Sequence, residues 1–452
     1  MNPEFQRNLW LELTPRRVTL MVILLALAFF AAAVSDDKDY GPARIAQFLY
    51  YAIVVVWGTR NAALAVVGEI RDRTWDMQLL SSIDAGAMTW GKLFGATIYN
   101  WFGGAICLAV MMTEAVAHQG VAAALIGFVY FIAVGVISQA AAFLASLVAI
   151  RRRQAHSRLD IFIYQVVGLA AAVAVYSIWS TADLAGSLLL HKTASDTIVW
   201  WGRTVDTRGF LLVSLAVFTA WTLLGCYREM RLELKMQNGT LVWLAFLVFI
   251  GVYVAGFDAW LNNDKGVAGW DSISLRLGLA ATTFIALTYL MVVLEPKDRV
   301  HLRWLGSQIT SGRLAAAWSG LQAWMTAYLA AMLCSIALLV WLHQINPNAV
   351  EQSALLAAVL GFLTRDVSIF VLMRSLPGRR RGDLAALGIL FALYVLAPAI
   401  FKGLGLNNLL MLFFPQPTAP LWMSPAVGWA EGVALASFAL GRVALSRKPA
   451  TA

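Results

Sequence analysis

Cysteine and histidine are nearly missing from this chain, which has 3 Cys and 5 His in 452 residues. Cys107, Cys226 and Cys334 fall in or at the ends of apolar runs and read as small buried hydrophobes; neither a disulfide framework nor a metal spacing is present. His118, His156, His191, His301 and His343 are scattered without His-x-x-x-His or Cys partners, which argues against a metal site. Charge is scarce, at 13% of residues, and strand-type alternation does not occur. No nucleophile, base and orienting residue group into a catalytic constellation, so the chain does not read as an enzyme.

What remains is apolar: 60% of residues are hydrophobic and 18 are Trp. That composition belongs to a polytopic membrane protein. Because a span needs about 20 mainly apolar residues and an unpaired backbone group in hydrocarbon costs several kcal/mol, the long apolar runs predict helices. They fall at 17-34, 46-68, 92-116, 121-149, 160-179, 209-226, 240-258, 273-294, 315-342, 354-373, 384-400 and 425-443. The expected fold is therefore all-α, with about twelve transmembrane helices. The first run resembles a signal peptide, but its length and the mixed charge of the preceding "NPEFQRNLWLELTPRR" predict a retained span.

A net charge of +9 suggests nucleic acid until the basic residues are located. They cluster at 16-17, 71-73, 151-158, 228-235, 297-299, 378-381 and 447-448, which are alternate connections between the runs. This is the positive-inside pattern: it places both termini in the cytoplasm and accounts for the charge without a nucleic-acid partner.

Two charged connections match. "EIRDRTWDMQLLSSIDAG" (69-86) aligns without a gap on "EPKDRVHLRWLGSQITSG" (295-312) with seven identities in eighteen positions, against roughly one expected by composition. "LEL" at 11-13 and 232-234, and "RRR" at 151-153 and 379-381, repeat in the same order at nearly the same spacing. Duplication predicts two halves, 1-227 and 228-452, of six spans each. An even span number orients both halves alike, so the two repeats are parallel rather than inverted.

Four readings fit the stretch "GEIRDRTWDMQLLSSIDAGAMTWGKLF". As a phosphate loop it fails: Leu93 stands where a magnesium-binding Ser or Thr belongs, and no apolar strand precedes it. A major facilitator shares the 6+6 architecture, and Gly68, Asp72 and Arg73 fit part of its loop signature, but Thr74, Trp75 and Asp76 do not. This leaves a secondary transporter as the alternative. A solvated basic connection explains the Arg residues but not the stripe Trp75, Leu79, Ile83 and Ala87, which shares one face if the segment is a single helix.

The fourth reading is a resemblance. The stretch, with "NPEFQRNLWLEL" ahead of the first span, is similar to the coupling region and elbow helix of type-2 ATP-binding-cassette (ABC) exporter permeases. What that resemblance implies is a permease subunit in a bacterial inner membrane, surrounded by lipid. It would have both halves in one chain, no cofactor of its own, and ATP supplied through two copies of a separate ATPase subunit. Glu69, Arg71, Asp72, Arg73, Trp75, Gly86 and Lys92 would make the coupling element. Glu295, Lys297, Asp298, Arg299 and Gly312 would make its second copy, expected to be weaker because Pro296 interrupts it and "AAWSG" replaces "GK". On the residues alone, Glu69 to Arg73 read as exposed pairs that set register with a partner. Ser81, Ser82 or Asp84 reads as a helix cap, Gly86 as a close turn, and Lys92 as a marker of the membrane interface.

Polar residues inside apolar runs are the second candidate site. Arg60 lies nine residues before Glu69, roughly 13 Å along a helix, where a charge costs about 2.5 to 3.5 kcal/mol; it should face protein or water. Arg365 and Asp366 sit inside the tenth run, where the first half carries Ser138 and Gln139. Adjacent helical residues point about 100° apart, so each of the two charges can have its own partner. Glu114 and Glu431 repeat the argument more weakly. A translocation path and a buried packing network both fit these residues. The Trp-containing segments 180-208 and 401-424, each before the last span of its half, read as re-entrant or interface-lying.

Overall fold

The computed structural model describes residues 2–34, 41–151, 158–187, 197–236, 238–259, 270–345, 350–376, 382–416 and 420–445. It is a polytopic, overwhelmingly α-helical architecture, with ten helices long and apolar enough to cross a membrane among the described residues and one short hairpin, Thr197–Trp200 with Arg203–Asp206, inside the segment 180-208 expected to be re-entrant or interface-lying. The segments 151-158 and 378-381 lie largely or wholly outside them, as does much of 180-208.

Contacts divide the chain into two compact units, Met1–Ile198 with Val205–Asn238, and Val199–Thr204 with Gly239–Ala452. In the first unit the candidate spans are Pro15–Val34, Pro42–Arg71, Ile98–Gln119, Val121–Ile150, Asp160–Trp179 and Thr207–Glu233. The second unit holds Ser272–Leu294, Ala323–Ile345, Val350–Ser375 and Gly382–Gly403. The two other expected runs are also helical. Leu241–Ala255 is apolar but only 15 residues long, and Met423–Leu445 carries Glu431 and Arg442.

Two spans contain a π-helical stretch. Tyr51–Trp57 (YAIVVVW) widens over a β-branched run that packs poorly into an α-helix. Ala392–Leu396 precedes Pro398, which has no N–H for the carbonyl of Tyr394. In the second unit, Trp200 and Trp201 donate their indole N–H groups to the carbonyls of Tyr253 (3.0 Å) and Val252 (3.2 Å). They cap the end of Leu241–Ala255, whose last carbonyls have no partner within the helix.

The expected third span begins differently. Asp84 accepts the N–H of Gly86 at 2.8 Å and starts a helix Ala85–Ala96, which ends at Thr97 before Ile98–Gln119. Gly86 is thus in the first turn of a helix, not in a close turn. Lys92 lies in this preceding helix.

Candidate functional site

The single helix expected over the first charged stretch does not form. Pro42–Arg71 runs past Glu69 and stops where Arg73 takes a left-handed φ of 59°, with Arg73 N–H donating to the Ile70 carbonyl and Thr74 N–H to Glu69. That is a Schellman stop, made here without glycine. A five-residue helix, Trp75–Leu79, follows, and the chain then unwinds as far as Asp84. The stripe is split accordingly. Trp75 is buried with Leu79 and Ile83 against the first unit's own core, beside Val66, Met88 and Phe143. The apolar side chains left outside are Met77 and Leu80, which are 75% and 89% exposed.

Glu69 is not an exposed register residue. One of its oxygens contacts Lys92 Nζ at 2.5 Å, and the other accepts from Arg7 at 2.6 Å and Gln78 at 2.8 Å. Lys92, only 1% exposed, also pairs with Glu4 at 2.7 Å and lies 5.9 Å from the Trp75 ring. The helix Pro3–Glu12 brings Glu4 and Arg7 in, capped by Asn2. It crosses Ala85–Ala96 over two glycines: a Cβ on Gly91 would lie 2.7 Å from Glu4 Cβ, and one on Gly95 would lie 2.8 Å from Asn8 Cβ. Asn2 donates to the Ala87 carbonyl at 2.6 Å and Asn8 to that of Gly91 at 3.1 Å. The Gly-Lys that suggested a phosphate loop is therefore a helix crossing with a buried ion pair. Arg71, Asp72 and Arg73 remain exposed, Arg71 and Asp72 being 3.7 Å apart.

In the second charged stretch the same residue types take other places. Glu295 ends Ser272–Leu294 in an extended conformation and accepts the backbone N–H of Trp324 at 3.1 Å, capping Ala323–Ile345. Lys297, buried, donates to the Val292 carbonyl and pairs with Asp383 at 3.3 Å. Arg299 donates to the carbonyls of Arg374 (3.2 Å) and Leu376 (2.5 Å) at the end of Val350–Ser375, where a cation is favoured. Asp298 caps a twelve-residue helix, Arg299–Thr310, and Gly312 follows with φ 72°. On this helix Leu305 is buried, while Val300, Trp304 and Ile309 are exposed.

Gln139 and Arg365 each centre a buried polar network. In the first unit the π-helix frees carbonyls that distant side chains occupy. Asn100 donates to Ile53 at 2.9 Å, Gln139 to Val54 at 2.9 Å and Gln165 to Val56 at 2.9 Å. Gln139 accepts from the Trp101 indole at 2.9 Å, and Asn61 donates to Asn100 at 2.8 Å. Every described member is neutral. Arg60 belongs to neither network and is exposed on its helix.

In the second unit Arg365 donates from Nε to Asp366 (3.0 Å), from one terminal nitrogen to Glu431 (3.2 Å) and from the other to the Phe413 carbonyl (3.3 Å). The adjacent charges do form a pair, and each has partners elsewhere. Asp366 also accepts from the Tyr289 hydroxyl at 2.7 Å and the Tyr394 hydroxyl at 2.6 Å. Tyr394 sits in the second π-helix. Glu431 arrives through Gly428-x-x-x-Gly432, whose helix touches Val350–Ser375 so closely that a Cβ on Gly361 would lie 2.7 Å from Gly428 backbone carbon. Small residues at that spacing allow such an approach in a membrane. The Gly-x-x-x-Gly around Glu431 was the signal available in the sequence. Tyr289 and Tyr394 offered none.

Neither site resolves into a known family: no family model, no curated protein and no solved structure matches this chain.

Proposed function

We propose that this chain is the membrane-spanning permease subunit of an ABC exporter, energised by a separate ATPase subunit that docks on its charged connections. In this reading the chain crosses a bacterial inner membrane twelve times as two parallel six-helix repeats. Both termini are cytoplasmic, and the chain has no nucleotide site of its own. The observation that carries the reading is the ion-paired block around Lys92. Glu4, Arg7, Glu69 and Lys92 tie the N-terminal helix, the end of Pro42–Arg71 and the helix leading into Ile98–Gln119 into one unit. Met77 and Leu80 are left bare on its outer turn. A force applied there is shared, through the ion pairs, among the segments that lead into three spans.

Arg299–Thr310 is the second docking element. It is longer than Trp75–Leu79 and presents Val300, Trp304 and Ile309. A second reading, an ion-coupled secondary transporter of 6+6 architecture, draws on the Arg365 network, since ionisable groups inside spans mark ion and substrate paths. Gentle solubilisation of the tagged chain and identification of co-purifying proteins separates the two. Recovery of a stoichiometric ABC ATPase is expected. Transport that persists in ATP-depleted vesicles, with no ATPase recovered, overturns the proposal in favour of the secondary transporter.

A further inference from the structure

Ile98–Gln119 and Val121–Ile150, two candidate spans of the first unit joined at Gly120, carry between them a groove of about 290 Å³. Trp101, Ala105, Ala109 and Met112 line it from one helix, Phe128 and Ile132 from the other. It forms because Ala105 and Ala109, one turn apart on the same face, are too short to fill the space between the helices. Larger side chains bridge the helices at both ends. A Cβ on Gly135 would lie 2.7 Å from the Trp101 ring, and one on Gly127 would lie 3.6 Å from Met112 Cε. The side between these bridges is open, since Ala105, Ala109 and Phe128 are exposed.

Water is a poor occupant, because a held water needs about two to four polar partners. The one side-chain N–H among the lining residues, the Trp101 indole, already donates to Gln139 at 2.9 Å. Around the mouth the surface stays apolar, with Val116, Leu125 and Val129 exposed. In a bilayer that surface meets hydrocarbon. From Trp101 to Met112 the groove follows the helix for about 16 Å. That is the depth of a single leaflet, half of a hydrocarbon core about 30 Å thick. The volume has room for roughly ten methylene-sized groups at about 30 Å³ each.

From this we infer that the groove is a binding site for one acyl chain of a membrane phospholipid, held as a resident part of the first unit. The inference goes beyond the permease reading and needs only that these two helices span a bilayer. No charged side chain lines the groove, so it recognises the tail and is indifferent to the headgroup. The chain also braces Trp101, whose partner Gln139 serves the Val54 carbonyl of the π-helix, so an acyl chain supports the buried amide network from the lipid side.

The test uses the purified full chain in nanodiscs of phosphatidylcholine that carries a diazirine midway along one tail. After illumination, adducts are mapped by peptide mass spectrometry. Labelling at Ala105, Ala109 and Met112 should exceed that at Val173 by about fivefold; Val173, on Asp160–Trp179, is 62% exposed and lies outside the groove. Exchanging the choline headgroup for glycerol should leave this ratio unchanged. Ala109→Phe, whose ring fills the groove, should bring the ratio down to about one without altering labelling at Val173. Equal labelling of the groove and Val173 in the parent would mean passing bilayer lipid only, and overturns the proposal. An unlabelled groove overturns it too, because protein, from this chain or a second copy, then covers the site. So does a ratio that survives Ala109→Phe. Should Ala109→Phe elute as aggregate, Ala105→Leu takes its place, and the ratio in the parent decides by itself.

Discussion

Position 139 in the first unit and position 365 in the second are 226 residues apart, the spacing that also relates the two charged stretches. Each has a glycine four residues earlier, Gly135 and Gly361, and each is the hub of a buried polar network. The chemistry differs. Gln139 serves backbone carbonyls that a π-helix has released, so the first unit has neutral amides meeting neutral carbonyls. Arg365 serves two carboxylates, so the second unit's network is built from ionisable groups. A neutral network can only fix packing, whereas a charged one can also respond to a ligand. The two units therefore differ in the chemistry they place at this matched position.

The largest effect that sharpens this contrast is expected at Arg365. Arg365→Gln, which installs the first unit's residue in the second, strands Asp366 and Glu431 and should cost about 3 to 5 kcal/mol. Thermal unfolding in detergent, followed by loss of monodisperse protein, should show it as little or no folded protein. The mirror substitution, Gln139→Leu, leaves the Val54 carbonyl and the Trp101 indole unpaired and should cost less, about 1 to 3 kcal/mol. Equal losses would mean that the charge plays no special part.

The charged stretches repeat the contrast at a smaller scale. Lys92→Met leaves Glu4 and Glu69 with only the half-exposed Arg7 as a shared cation and should destabilise by about 3 kcal/mol. Lys297→Met removes a 3.3 Å pair to Asp383, itself 21% exposed, and the hydrogen bonds to the Val292 and Glu295 carbonyls, and should cost about 2 kcal/mol. Similar melting shifts would contradict the view that the ion pairs hold the first stretch more firmly than the second.

These differences explain what could be read before the structure. Long apolar runs dictated helices because lipid leaves the backbone no other partner, and Arg365, Asp366 and Gln139 stood out because polarity is costly there. Asp84 was recognisable as a cap. The stripe from Trp75 to Ala87 misled because helical periodicity assumes an unbroken helix. Nothing local announces that Arg73 adopts a left-handed conformation or that Asp84 restarts the chain. Lys92 and Glu69 looked like surface charges because their partners on the N-terminal helix, Glu4 for Lys92 and Arg7 for Glu69, are distant residues brought in by a glycine crossing. Tyr289 and Tyr394 reach Asp366 across 77 and 28 residues for the same reason.

Glycine substitutions give the next effect. Gly361→Ala drives a methyl into the backbone of Gly428 and Trp429, which cannot move, and should cost about 2 to 3 kcal/mol. Gly135→Ala meets Trp101, Val54 and Tyr50 side chains, which can shift, and should cost about 1 kcal/mol. Smallest is the pair at the two helix stops. Arg73→Gly relieves a left-handed arginine and should raise stability by about 1 kcal/mol, while Gly312→Ala should lower it by about as much. Both can be read as opposite shifts of the melting temperature.

The permease reading is tested most directly by site-specific crosslinking in membranes. A photoreactive residue is placed at Leu80, which is 89% exposed, or at Leu93, which is 1% exposed in the same region. An adduct between Leu80 and a soluble ATPase subunit that changes on ATP addition is expected, with no adduct from Leu93. An ATPase adduct from neither position, in membranes where the protein is active, would contradict it.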